Sequence, residues 1–515
     1  MHNKNRRFDS LLEGLVVPER SYEKLNYGGL CADSREVRAG DVFLAASGLQ
    51  YDATAFINTA LERGAAAIIH ESPVNDLVKE AARRRHVPLV HDPALREHMG
   101  IIAGRYHAEP SRRLKVVAIT GTDGKTSVSH FIAQAIDKAA AAAGRRCGII
   151  GTLGNGFYKQ LAAGTHTTPD ALTVQALLAE MLGQNAGYVA MEASSHGLEQ
   201  GRLNGVQIEV AVLTNMGRDH LDYHHDLESY RRAKSRLFAA RPSLQSAVLN
   251  IQDEFGRSLW NAHHRDYPIT VYGTGEIDFD LGQADDWVWG KIKTFSAHGF
   301  LLNIATAEGD CDIEVPLLGA FNAKNALAAA AVLKRLGFGI DAIARSIAGL
   351  QPVRGRMQLL ERIGRPAVIV DYAHTPQALE TVLSESRRHF SGHLHCVFGC
   401  GGNRDAGKRP LMGGIAARLA DSVIVTDDNP RHESPQQIAA DILAGCGEPK
   451  SIKVIHDRKR AIITAIQAAR PGDVVLIAGK GHETYQEIGG EKKPFSDQAV
   501  VCAELGIKED GNEIQ

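Results

Sequence analysis

Leu114 to Gly144 reads LKVVAIT, then GTDGKTS, then VSHFIAQAIDKAAAAAG. The first seven residues, Leu114 to Thr120, are a β-branched and aliphatic run of the kind that forms a buried parallel strand. From Thr126 to about Ala143 apolar residues recur at helical spacing, with a run of alanines and Gly144 as a stop. Between them a tight turn carries Gly121, Gly124, Lys125 and Thr126. Strand, glycine turn, Lys-Thr and helix together cradle phosphate: the glycines free backbone N–H groups to face phosphate oxygens, and the helix N-terminus adds its positive end. Lys125 can reach the outer phosphates, and the Thr126 hydroxyl can ligate Mg²⁺. Ile119 occupies the place of the first glycine in G-x-x-x-x-G-K-[ST], so the glycine-to-glycine segment is shorter. The turn is read as a nucleotide-phosphate site, against an ordinary strand–turn–helix with a chance Gly-Lys-Thr.

A chain of 515 residues is too long for one core, and three domains are expected. Its 58 basic and 60 acidic residues nearly cancel, which excludes nucleic-acid binding through bulk charge. No apolar run is long enough to span a bilayer and MHNKNRRFDS has no apolar leader core, so a cytoplasmic protein without membrane insertion is expected. Seven scattered cysteines read as reduced thiols. Cys396 and Cys400 flank a glycine-rich loop, but without a second Cys/His pair they read as core thiols and not zinc ligands.

Residues 1–110 read as a small α/β unit, with strands DVFLAA (Asp41 to Ala46) and AAAIIH (Ala65 to His70), and HAEPSRR (His107 to Arg113) as a polar linker. Residues 111–348 alternate strands with helices, the pattern of a parallel sheet covered on both faces. Thr168-Pro169-Asp170 marks a helix entry, and Glu192, His196, Asp219 and His220 fall near strand ends, where such sheets gather ligands. Residues 349–515 begin afresh. Four strands run into DYAHTP, GCGGNRDAGKRP, TDDNPR and GKGHETYQ, forming a second doubly wound sheet.

These segments, with MEASSHGLEQGR, TNMGRDHLDYH, YRRAKSRLF and GAFNAKNALAA between them, resemble the Mur ligases over essentially the whole chain. The resemblance implies an α/β protein of three domains: an N-terminal α/β uridine-nucleotide domain, a central P-loop ATPase domain with a parallel sheet, and a C-terminal Rossmann-like domain that binds the amino acid. It implies ATP-dependent amide formation through an acyl phosphate, with ATP and Mg²⁺. DNPR together with GKGHE points within the family to meso-2,6-diaminopimelate as the amino acid and UDP-MurNAc-L-Ala-D-Glu as its acceptor, with the chain acting as a monomer.

Site residues follow position by position. ATP is expected on Gly121, Thr122, Asp123, Gly124, Lys125, Thr126 and Ser127, with Asn322 and Asn325 near adenine and Arg356, Asp371 and His374 at phosphate and ribose. Lys125, Glu192, His220 and Lys234 are the expected catalytic set. Thr126 and Glu192 would hold one Mg²⁺, and His220 a second. Lys234 would be the family's carbamylated lysine (N6-carboxylysine) and a metal ligand, although its own surroundings (Arg231, Arg232 and Arg236) read as a solvated basic helix face. The UDP-sugar dipeptide is expected on Ala32, Ser34, Leu49, Gln50, Tyr51, His166, Thr167, Thr168, Ser194, Gln200 and Arg202. Diaminopimelate is expected on Arg404, Asp428, Asn429, Pro430, Arg431, Gly479 and Glu483. Leu49 stands where some members have histidine, and Asp123 where many have asparagine. Arg431 would pair with the far carboxylate and Glu483 with the far ammonium. L-lysine, which leaves Arg431 unpaired beside Arg404, should be rejected by about 10⁴-fold.

Two other readings start from the same residues. A P-loop phosphotransferase or regulatory nucleotide-binding protein has no need of three polar loops at separate strand ends of a last domain. Folylpolyglutamate synthetase and the D-Ala-D-Ala-adding Mur ligase would be expected to lack DNPR.

Overall fold

A computed structural model describes residues 7–16, 25–47, 53–239, 242–447 and 451–508. The chain divides into two compact units. The first runs to Tyr272 and includes Asp278–Trp287 and Ala331–Phe338; the second holds Val288–Ala330 and the chain from Gly339 onward.

The first unit opens with a four-stranded parallel sheet, β1 (Leu30–Cys31), β2 (Val42–Ala45), β3 (Ala67–His70) and β4 (Leu89–His91), in that order. All four residues of β2 and of β3 are buried, because helices cover both faces of a parallel sheet. The stretch after it is not a free linker. Ala108 and Glu109 take left-handed backbone (φ 59° and 51°), Pro110 and Ser111 are buried, and Ser111 Oγ accepts from Gln207 N at 3.0 Å.

A larger sheet follows. Its parallel strands are β5 (Lys115–Thr120), β6 (Arg146–Gly151), β9 (Ala186–Glu192), β10 (Ile208–Leu213), β11 (Leu244–Asn250) and β12 (Ile269–Thr274), in the order β12-β11-β10-β5-β9-β6. β7 (Gly154–Phe157) and β8 (Gln160–Ala162) extend it antiparallel beyond β6. The strand order reverses around β5, so the loop after β5 is flanked by the ends of β9 and β10. That crevice is where open parallel sheets bind ligands.

β13 (Asp286–Ser296), β14 (Gly299–Thr306) and β15 (Gly309–Val315), all but the first two residues of β13 in the second unit, pair antiparallel. This corrects the expectation of alternating strands and helices throughout 111–348. The burial of β14 alternates with period two, the mark of a half-buried antiparallel strand. A six-stranded sheet follows: β16 (Gln358–Leu360), β17 (Ala367–Asp371), β18 (Leu394–Phe398), β19 (Ser422–Val425), β20 (Ile452–Val454) and β21 (Val474–Ala478), ordered β16-β17-β21-β18-β19-β20. Four of its strands are those expected, and β16 and β20 add an edge on each side. A hairpin, β22 (Tyr485–Ile488) and β23 (Glu491–Pro494), lies beyond β21.

Candidate active site

The turn after β5 is shaped by two glycines, with φ 151° at Gly121 and 82° at Gly124, and a helix of 15 residues, Lys125–Ala139, starts directly behind it. The segment after β10 pins the turn. Asn215 takes Thr122 N on its backbone oxygen (3.0 Å) and Asp123 N on its side-chain oxygen (2.9 Å). Thr214 Oγ1 donates to Asp123 O at 2.6 Å, and Gly217 N to Thr122 Oγ1 at 2.7 Å. Lys125 folds back on the turn, its Nζ 2.8 Å from both Gly121 O and Thr122 O. Thr126 and Ser127 are buried at the helix start.

Glu192 ends β9, 1% exposed, beside this turn. It accepts from Thr126 Oγ1 (3.0 Å), Thr152 N (2.8 Å) and Thr152 Oγ1 (3.0 Å). A side chain at Gly151 would reach 2.2 Å from Glu192 Oε1, so the glycine lets the carboxylate approach the end of β6. Burial pushes the Glu192 carboxyl up, opposed by Thr152 and Lys125. A carboxylate and a hydroxyl at a phosphate cradle fit Mg²⁺, which takes few protein oxygens and fills its octahedron with water and phosphate. Among the described residues no group of three or more His, Cys, Asp or Glu could hold a metal by itself.

Lys234 is 1% exposed and not on a solvated face. Its Nζ donates to Gly121 O at 2.7 Å, the same oxygen that Lys125 takes, and lies 4.4 Å over the Tyr230 ring. Burial, and then the Lys125 charge, hold its amine well below the ordinary lysine range. Tyr230 OH meets Thr122 Oγ1 at 3.3 Å. His220, exposed and with φ 54°, packs edge-on against His196 at 5.0 Å. His220 makes no hydrogen bond or ion pair to Glu192 or Lys234. Its Nε2 lies 3.5 Å from Asp219 Oδ2.

Five of the eleven residues expected at the UDP-sugar dipeptide, Thr167, Thr168, Ser194, Gln200 and Arg202, join one network that runs into the same crevice. Thr168 Oγ1 donates to Glu192 O (2.7 Å) and accepts from Ser194 N (3.0 Å). Arg202 donates to Thr168 O (2.5 Å) and Gln200 Oε1 (2.7 Å), and Gln200 Nε2 reaches Tyr223 OH (3.1 Å). Thr167 Oγ1 lies 3.1 Å from Thr152 Oγ1, whereas His166 is exposed beside Thr165. Ser34 is buried, and Ala32 lines a cavity of about 410 Å³ with Asp33, Tyr106 and Asp170. Leu49, Gln50 and Tyr51 lie outside the described residues. Thr152, Thr214, Asn215 and Tyr223 escaped the sequence reading, although TLG after β6 and TN after β10 end strands as Glu192 does.

In the second unit Asn322 and Asn325 are buried near the start of helix Ala320–Arg335, Asn325 Nδ2 donating to Asn322 Oδ1 at 3.1 Å. Asp371 accepts from Met357 N and Ala373 N at 2.7 Å each, and its burial raises its carboxyl. Arg356 lies 4.8 Å over the Tyr372 ring with its Nε buried and unbonded, while His374 is exposed. Burial and the nearby Arg356 push His482 down to about 4.

The loops after β18, β19 and β21 meet one another. Asp428 is buried against Gly479, where an added side chain would come 2.6 Å from Asp428 Oδ2. Burial raises its carboxyl against the pull of Arg458 and Lys480. Asn429 Nδ2 donates to Glu483 Oε2 (2.9 Å), and the fully buried Lys480 donates to Asn429 Oδ1 (3.0 Å) and Glu483 Oε2 (2.7 Å). Pro430 O packs so closely on Gly402 that any side chain there would approach it to 2.0 Å. Arg404 is exposed and has no bonded partner among the described residues. Arg431, expected to stand unpaired, is already engaged: Nε lies 3.2 Å from Glu487 Oε2 and Nη1 2.7 Å from Gly402 O. Glu483 is likewise partly taken up by Lys480. Cys396 and Cys400 are buried thiols, each pushed up to about 12 by burial.

Residues 26–107 match the Mur ligase family catalytic domain, 119–333 the Mur ligase middle domain and 355–481 the Mur ligase glutamate ligase domain. The chain is 48% identical over 488 residues to the UDP-N-acetylmuramoyl-L-alanyl-D-glutamate–2,6-diaminopimelate ligase of Alkalilimnicola ehrlichii, covering 94% of this chain and 95% of the relative. To the protein of that name in Pseudomonas aeruginosa it is 46% identical, covering 91% and 93%. A solved structure of a protein of that name superposes with a TM-score of 0.73 at 38% identity, covering 97% and 99%. A MurF ligase from Acinetobacter baumannii shares the fold at TM-score 0.64 and 19% identity, covering 98% and 100%. The chain belongs to the Mur ligase family.

Proposed function

We propose that this chain is the ATP-dependent ligase that adds meso-2,6-diaminopimelate to the D-glutamate carboxylate of UDP-MurNAc-L-Ala-D-Glu in peptidoglycan precursor synthesis. The observation that carries the reading is likeness at nearly half of all positions, end to end, to ligases bearing the 2,6-diaminopimelate name. The contact of the DNPR loop with the GKGHE loop through Asn429 and Glu483 supports it. The three-part division 1–110, 111–348 and 349–515 assigns the acceptor, ATP and the amino acid to successive regions. A monomer in the cytoplasm is part of the same proposal.

The chemistry joins two anions before it joins a carboxylate to an amine. An oxygen of the acceptor carboxylate attacks the γ-phosphorus of ATP, ADP leaves, and an acyl phosphate results. The amino group then attacks the acyl carbon, loses a proton, and phosphate leaves. Backbone N–H groups of Gly121 to Ser127 would cradle the phosphates, and Lys125 would turn from its backbone oxygens to neutralise them. Thr126 and Glu192 would hold Mg²⁺, which offsets charge between the phosphates and the incoming carboxylate. His220 would serve a second ion. Thr152 fixes Glu192 from behind, so the carboxylate need not reorganise.

Lys234 is suited to carbamylation because burial disfavours the charged form of its amine, and the neutral amine is the form that attacks CO₂. A nitrogen–carbon bond forms, one proton leaves, and the side chain becomes an anionic oxygen donor next to the P-loop. Thr167, Thr168, Ser194, Gln200 and Arg202 would bind the acceptor, with Ala32, Ser34, Leu49, Gln50, Tyr51 and His166. Asn322, Asn325, Arg356, Asp371 and His374 would serve the nucleoside, and Arg404, Asp428, Asn429, Pro430, Arg431, Gly479 and Glu483 the amino acid. Incubation with ATP, Mg²⁺, the UDP-sugar dipeptide and meso-diaminopimelate should release ADP in step with a product heavier by one diaminopimelate less water. ADP release without that product would overturn the proposal.

A further inference from the structure

Arg431 is anchored by a residue outside the loop that carries it. Its backbone is left-handed at φ 54°, a conformation that disfavours a large side chain. The strand of the C-terminal hairpin holds it there: Arg431 N donates to Glu487 O at 3.0 Å, and Gly489 N donates to Arg431 O at 2.7 Å. Glu487 N in turn donates to Asn429 Oδ1 at 2.9 Å, tying the same strand to the DNPR loop a second time. The side chain of Glu487 then takes Arg431 Nε at 3.2 Å while Gly402 O takes Nη1 at 2.7 Å. Both side chains of the pair are about a quarter exposed (22% and 23%), so the pair faces an accessible space.

The guanidinium has five donor hydrogens in one plane. Glu487 takes the hydrogen on Nε and Gly402 one of the two on Nη1, and Nη2 makes no hydrogen bond to the described residues. Both hydrogens of Nη2 and the second of Nη1 are therefore left for a ligand carboxylate, and the bonds from Nε and Nη1 hold their plane. Fixing that plane in advance reduces what bidentate pairing with a carboxylate costs in side-chain freedom and sharpens its geometric selectivity.

We infer that Glu487 is a positioning residue that presents Arg431 to the far carboxylate of the amino-acid substrate, and so sets the preference for a dicarboxylic amino acid. The inference rests on the diaminopimelate reading of the Arg431 site. Glu487 lies four residues past Glu483, outside both DNPR and GKGHE.

The test is steady-state kinetics of the full-length protein and its Glu487→Ala and Glu487→Gln variants, with meso-diaminopimelate and with L-lysine. In Glu487→Ala the KM for diaminopimelate should rise about 10-fold, the size of one lost charge-assisted hydrogen bond. Its kcat at saturation and its KM for ATP should stay within about twofold of wild type. Glu487→Gln keeps an amide oxygen for Nε and should recover most of the loss. Use of L-lysine, which brings no carboxylate to Arg431, should be unchanged, so selectivity falls. An unchanged diaminopimelate KM, a parallel loss with lysine, or no recovery in Glu487→Gln would each overturn the role of Glu487. If the wild-type protein itself fails to prefer diaminopimelate, it is the reading of the activity that fails.

Discussion

The P-loop after β5 and the DNPR loop after β19 each bring a cation to the carboxyl end of a parallel strand, but they hold it by different means. Lys125 lies on the backbone oxygens of its own turn, and neighbouring strand ends fix the turn's peptide groups. Arg431 is held by side chains and backbone far away in sequence, with Glu487 56 residues on and Gly402 29 residues back. Under the second region lies a buried hub. Arg458 is 1% exposed, pairs with Asp497 at 2.7 and 2.8 Å, and donates to Ala478 O at 2.9 Å, directly before Gly479. A site made of backbone tolerates the loss of one side chain as a fold and loses only chemistry. A site made of paired side chains loses geometry as well.

Substitutions at four positions bear on that contrast. Lys125→Ala should lower ligation by about 10⁴-fold, through lost stabilisation of the transferring phosphate. Its thermal midpoint should move little, because the bonds from Nζ to Gly121 O and Thr122 O are lost but those of Thr214 and Asn215 to the turn remain; a large fall in stability would count against a turn held by its peptide groups. Lys234→Ala should cost about 10³-fold in activity. Added acetate or another short carboxylate should restore part of it by supplying the missing oxygen donor, whereas Lys234→Arg should remain inactive. A fully active Lys234→Ala would rule out a carbamate there.

Arg431→Ala should lower kcat/KM for diaminopimelate by about 10²-fold, since it also strands the Glu487 carboxylate. Lysine should be almost unaffected, and an equal loss for both would mean that the loop and not the guanidinium was disturbed. The smallest effect is expected for Thr152→Val, which removes one hydroxyl bond to Glu192 and leaves the bonds from Thr152 N and Thr126. About 1 kcal/mol of stability should go, as read by denaturant unfolding. A loss several times larger would mean that Glu192 has fewer alternative partners than these contacts provide.

The same contrast explains what could be read in advance. The P-loop was legible because seven consecutive residues build it and the strand and helix beside it have clear periods. Glu192 was legible as the last residue of a strand. Its partner Thr152 was not, because their bonds close only when β6 and β9 pair, 40 residues apart. The burial of Lys234 contradicts its local sequence, in which three arginines suggest a wet helix face. Tyr230 and the Gly121 carbonyl, placed by the fold, enclose it. In the second region the loops that carry these cations and carboxylates do meet, but through pairings that the sequence does not show. An unpaired Arg431 was expected because neither Glu487 nor Gly402 lies near it in sequence. The antiparallel strands from 286 to 315 did carry an alternating pattern, which the surrounding strand–helix alternation obscured.

The pairing of Arg431 alters one expectation quantitatively. With Glu487 and Gly402 still bound to the guanidinium, an amino acid lacking the far carboxylate leaves it only partly unsatisfied. Rejection of lysine should then fall from about 10⁴-fold to about 10²- to 10³-fold. The most direct test of the whole account is therefore the ratio of kcat/KM for meso-diaminopimelate and L-lysine in the wild-type protein, with ATP, Mg²⁺ and UDP-MurNAc-L-Ala-D-Glu saturating and the ligated product followed by mass. Diaminopimelate should be preferred by about 10²-fold or more. Comparable values for the two amino acids would contradict it.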